Sequence, residues 1–189
     1  MHGGRRGGCG AVIVALIVAT KGVAGEPIFP APASSDAPVI VRGALFVWPA
    51  LDAPEYADPA ARLFAADVGS WRAGVPPARV ARAAASPGAR YLDADLEFLS
   101  ATTGATAWTT VASAYERALR EAPEFFDAPR AYFLLGRAYL TLGFGVEAEG
   151  AFTVLERRHP GSPLVADARL GCAQAQRLRA AEARRRGAS

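Results

Sequence analysis

Three acidic residues stand two apart in the stretch DADLE, at Asp93, Asp95 and Glu97. Carboxylate pairs are the working parts of glycoside hydrolysis, but neighbours on a helix face are three or four residues apart, so acids at this spacing fan out instead of converging. A solvated face is the role expected of them. His159 precedes Pro160 where an apolar-periodic segment ends, a place in which an imidazole serves the last helical carbonyls more readily than it acts as a general base. Cys172 lies between Gly171 and Ala173, and the other cysteine, Cys9, is near the chain start. Cys172 is therefore expected as a small apolar side chain without a disulfide partner. The hydroxyl-rich SATTGATAWTT, residues 100–110, lacks the Gly-Lys pair of a phosphate-binding loop and reads as a connection between helices. The chain has no asparagine, and Lys21 and Met1 are the only residues of their types. No catalytic residue, cofactor site or metal site emerges, so the expectation is a protein that is not an enzyme and carries no cofactor.

Composition and pattern define the elements that would carry these residues. With 189 residues, 51% hydrophobic and 21% charged, the chain is long enough for one modest globular domain and too apolar for disorder. Residues 1–25 read as a signal peptide: Arg5 and Arg6 precede the apolar run AVIVALIVA, and Gly22, Ala24 and Gly25 follow as small residues suited to cleavage. The run is too short for a bilayer span, which takes about 20 residues. No cysteine follows it closely, which argues against a lipid anchor. The location implied is periplasmic or secreted, with no stable membrane anchor. Arg5, Arg6 and Lys21 account for the whole formal excess of +3, so the chain from Glu26 onward is formally neutral and gives no reason to expect nucleic acid. Arg177, Arg179, Arg184, Arg185 and Arg186 against Glu182 make the C-terminal tail basic.

Residues 26–38, EPIFPAPASSDAP, form a Pro/Ala/Ser linker. Residues 39–88 read as an N-terminal capping region, in which VIVRGALFVW predicts a short strand or hairpin with no evident docking partner. Asp58-Pro59, Ser86-Pro87 and Ser162-Pro163 each place a capping side chain before a proline suited to the first helical position. Helices are predicted over residues 59–73, 87–101, 107–122, 127–142, 146–158 and 163–184. Gly143 is expected to stop the fourth of these in a left-handed conformation. The fold class is all-α.

Within YFLLGRAYLTLGFGVEAEGAFTVLERRHP, Tyr132, Leu135-Gly136 and Tyr139, then Ala148, Phe152 and Pro160, follow the spacing of the tetratricopeptide signature W-x2-L-G-x2-Y, A-x3-F, P. Leu170-Gly171 restates the Leu-Gly pair one repeat later, and Tyr115, Ala118 and Pro123 match the end of the preceding repeat. Residues 89–189 thus resemble the tetratricopeptide (TPR) family, in the manner of exported TPR proteins of Gram-negative cell envelopes. The resemblance implies a helix-turn-helix repeat solenoid, with Gly136 small because it faces Ala148. Tyr132, Leu135, Tyr139, Phe152, Pro160, Leu170 and Gly171 would pack around that contact. It also implies a concave groove for protein binding, lined by Arg130, Phe133, Arg137, Thr141 and Gln176. The partner would be a protein or peptide of an envelope complex, a second copy of the chain included. The alternative is a periplasmic enzyme or ligand-binding protein with its site in residues 39–80.

Overall fold

A computed structural model of the chain describes residues 39–41, 44–51, 53–56, 64, 68 and 86–187. The signal peptide and linker expected over residues 1–38 lie outside them. So does most of the helix expected over residues 59–73, of which Phe64 and Val68 are described as helical and buried.

Two strands, β1 (Val39–Val41) and β2 (Ala44–Phe46), pair antiparallel with Val39 opposite Phe46. A single 3-10 turn follows at Pro54–Tyr56. Among the described residues from 86 onward there are five helices: α1 (Pro87–Thr102), α2 (Trp108–Glu121), α3 (Ala128–Leu142), α4 (Gly145–Arg158) and α5 (Val165–Gly187). Each helix packs against its successor, and α3 also touches α5. The connections between them are short, which sets consecutive helices antiparallel. The described residues are mostly helical with packed neighbours, as the all-α expectation had it, and no described helix is long and apolar enough to cross a membrane.

Local chemistry accounts for the helix ends. Ser86 is the N-cap of α1: its hydroxyl oxygen accepts from the Ala89 N–H at 3.1 Å, and Pro87 follows in the first turn. Gly143 closes α3 at φ +80°, the left-handed conformation that glycine adopts without penalty. α5 starts at Val165, two residues later than expected. The Ser162 hydroxyl oxygen accepts from the Leu164 N–H, and the Val165 N–H donates to the Ser162 carbonyl, so Ser162 and Pro163 form a turn ahead of the helix.

The hairpin has a docking partner that the sequence did not reveal. Phe46 is fully buried, with its ring 5.3 Å from Phe98 of α1 and 5.1 Å from Trp48. Tyr56 lies against Gly88, where a Cβ would stand 3.1 Å from the tyrosine ring. The N-terminal segment is therefore part of one continuous core with Tyr91, Tyr115, Phe133 and Phe152.

The mid-helix glycine also has a partner, and it differs from the expected one. A Cβ on Gly136 would lie 2.5 Å from the Phe152 ring, and a Cβ on Gly171 would lie 2.5 Å from the same ring's other edge. Phe152 is clasped between α3 and α5, which come close enough to hold it only because both positions lack a side chain. Ala148 is buried nearby, but the contact that requires glycine is with Phe152.

Candidate functional site

Arg130, Asp95 and Asp127 form a buried ionic cluster between α1 and α3. Asp127 occupies the N-cap position of α3 without capping it. Its two oxygens instead accept from Arg130 Nε at 2.9 and 2.8 Å, and Oδ2 also accepts from Arg130 NH2 at 2.6 Å. Asp95 lies opposite, accepting from NH1 at 2.9 Å and NH2 at 2.6 Å. NH1 donates once more, to the Val47 carbonyl at 3.0 Å. Two phenols complete the cluster: Tyr56 donates to Asp127 at 2.5 Å and Tyr115 donates to Asp95 at 2.6 Å. Every nitrogen of the guanidinium is thus occupied by protein.

Burial dominates the electrostatics. It pushes the Asp95 carboxyl up to about 6, against the pull of Arg130. Burial also works against the Arg130 charge, but Asp127 and Asp95 outweigh it and hold the guanidinium protonated well above its ordinary range. Burial raises both Tyr56 and Tyr115 far out of the physiological range, and the aspartates beside them add to it against the pull of Arg130. The two phenols act as hydrogen-bond donors only. A cluster with all its donors and acceptors matched has nothing left to offer a substrate, so its action is structural: it ties the 47–56 segment to α1, α2 and α3.

This corrects three readings. Asp95 is 0% exposed and does not belong to a solvated face. It lies on the stripe of Tyr91, Leu92, Phe98 and Leu99, three or four residues to either side, and an acid inside such a stripe was the signal of a buried partner. Arg130 is 4% exposed and Phe133 1%. Neither lines an open groove: the first is held by the two aspartates and the Val47 carbonyl, and the second packs against Phe152 at 5.9 Å.

The other groove residues remain at the surface. Arg137 is half-buried on α3, donating from NH1 to Gln174 at 2.9 Å, while its Nε is buried with no hydrogen-bond partner. Burial lowers its pKa from the ordinary guanidinium value. Thr141 is exposed and donates to the Arg137 carbonyl. Gln176 is exposed on α5 and donates to Glu149, which also pairs with Arg179.

Of the expected packing residues, Leu135, Gly136, Ala148, Phe152 and Gly171 are buried. Tyr132 and Tyr139 are half-buried, the latter donating to Glu116. Pro160 is exposed in the α4–α5 turn. Leu170 is a correction: it is 65% exposed and outside the packed core of the described residues. Cys172 is half-buried and free, with burial raising its thiol pKa.

An open pocket of about 570 Å³ lies beside the ionic cluster. Its walls come from Val47, Trp48 and Ala50, from the start of α3, and from the α4–α5 turn. His159 lines it with a buried Nε2 that has no hydrogen-bond partner, and its ring lies 6.0 Å from that of Tyr132. Its backbone N–H donates to the Leu155 carbonyl, closing α4. Burial lowers the imidazole pKa below the ordinary value. Among the described residues no group of acids, histidines and cysteines has the arrangement of a metal site. No family model, curated protein or solved structure matches the chain.

Proposed function

We propose that the chain is a non-catalytic protein–protein interaction module of the TPR type, exported to the periplasm or cell surface by residues 1–25. The observation that carries this reading is the Phe152 clasp. Gly136 and Gly171 belong to two Leu-Gly pairs one repeat apart, and both are emptied of side chain for the same ring. A packing unit that recurs at the sequence period is what a stacked repeat requires. The surface left for a partner lies on α3 and α5, where Arg137, Thr141 and Gln176 are wholly or partly accessible. Arg137 puts a half-buried guanidinium at that face, so a partner offering a carboxylate matches it best.

The test is capture from an envelope extract, with the chain from Glu26 as bait, followed by the same capture with Arg137→Glu and Gln176→Glu combined. A partner recovered in stoichiometric amount by the parent, and lost in the double variant at unchanged helical circular dichroism, supports the reading. Undiminished recovery by the double variant removes the α3–α5 face from it.

A further inference from the structure

We infer that the pocket beside the ionic cluster is a docking site for an extended peptide that places a bulky apolar side chain next to an acidic one. The site is separate from the α3–α5 face, and the inference does not depend on the repeat reading.

The pocket's unmet chemistry names its occupant. Asp127 and Arg130 at its floor satisfy one another, so neither is free for a ligand. Three groups are left. Arg158 lines the pocket, is exposed, and has no ion pair among the described residues. His159 contributes an imidazole to the lining, its Nε2 buried without a hydrogen-bond partner. Ser162 accepts from the Leu164 N–H through its oxygen, which leaves the hydroxyl hydrogen to donate. A cation and a hydroxyl donor beside a neutral imidazole favour an acceptor that carries negative charge.

The walls are apolar. Trp48 and Phe126, the latter 39% exposed, face the pocket together with Pro129, Pro160, Pro163 and Leu164. A large aromatic or aliphatic side chain removes that surface from water. The volume lies in the range of recognition pockets, about 300–1,000 Å³, and exceeds what one side chain fills, so an extended backbone fits with it. One wall is the irregular chain that follows β2, and the Val47 carbonyl there is already held by Arg130.

The probe is the capped dipeptide acetyl-Phe-Asp-amide, compared with acetyl-Phe-Asn-amide, which keeps shape and loses charge. The readout is the proton NMR titration of the imidazoles in the full chain. There are two histidines, and His159→Gln assigns the His159 resonance. A bound carboxylate should raise the pKa of His159 measurably and bind at least several-fold tighter than the amide probe. Arg158→Ala should abolish that preference at unchanged helical circular dichroism, and Phe126→Ala should weaken both probes alike. An unmoved His159 resonance at millimolar probe, equal affinities for the two probes, or a preference that survives Arg158→Ala each overturns the inference.

Discussion

The two ends of the helical array are held together by opposite means. Around α1, α2 and the start of α3 the contact is polar and buried: two aspartates, one arginine and two phenols fix the 47–56 segment through directed hydrogen bonds. Between α3, α4 and α5 it is apolar and steric, one phenylalanine ring held where two glycines leave space. Shape alone sets the second contact, and it tolerates no added atoms. The first gains little net energy from its charges, because desolvation offsets most of the Coulomb attraction. What the charges supply is a unique placement of a segment that has few other constraints, since a misplaced segment leaves buried charge unpaired.

Breaking the polar end should have the largest effect. Arg130→Ala leaves Asp95 and Asp127 buried without their cation, which costs about 3–5 kcal/mol. Replacing all three members by apolar residues of similar size should cost far less, because no orphaned charge remains. Urea midpoints of the single and triple variants decide the matter. Equal losses would mean that the cluster's own energy, not the penalty of an unpaired charge, holds that end.

Breaking the steric end comes next. Gly136→Leu should destabilise by about 1–3 kcal/mol or more through overpacking against Phe152. The coupling is the sharper measurement. In a Phe152→Ala background, where the ring is gone, Gly136→Ala should become neutral or stabilising, since alanine is favoured over glycine in a helix by about 0.5–1 kcal/mol. Additive losses in this double-mutant cycle would place the contact elsewhere.

The polar end should respond to pH through Asp95. Burial lifts the folded-state Asp95 carboxyl from 3.8 to about 6, so over that window the folded chain holds a proton that the unfolded chain has released. The resulting stabilisation is fully present below pH 3.8 and is lost as pH rises through about 6. His159 works in the other direction, because burial lowers its pKa. It does so equally in parent and variant, so the comparison isolates Asp95. Between pH 7.5 and 5 the parent should gain melting temperature relative to Asp95→Asn. Parallel curves would show that Asp95 remains ionised throughout.

The two ends also differ in how far the sequence disclosed them. Helices α1 to α4 follow from caps, prolines and apolar periodicity, signals that act over a single turn, and the observed bounds differ from the expected ones by a residue or so. Gly136 and Gly171 were recognisable as sites of close approach, but their common partner was not, because Phe152 is reached from both sides only when three helices are in place. Arg130 was misread because its type suits a surface, and its two aspartates lie 3 and 35 residues away. The i,i+3 pair with Asp127 was visible, while the long-range pair was not. The pocket draws on three segments, so no local pattern could announce it.

Leu135 and Leu170 sharpen the comparison to one residue type in two settings. Both precede a glycine that faces Phe152, yet Leu135 is 6% exposed and Leu170 is 65%. Leu135→Ala should therefore cost about 2–5 kcal/mol, as core truncations do, whereas Leu170→Ala should stay within about 0.5 kcal/mol. Among the described elements, α3 packs against both the preceding and the following helix, whereas α5 has only preceding ones to pack against. Measured at low protein concentration, a loss at Leu170 as large as that at Leu135 would show that the outer side of α5 is covered in solution. A loss that grows with concentration would identify the cover as a second copy of the chain, since only self-association couples stability to protomer concentration in this way.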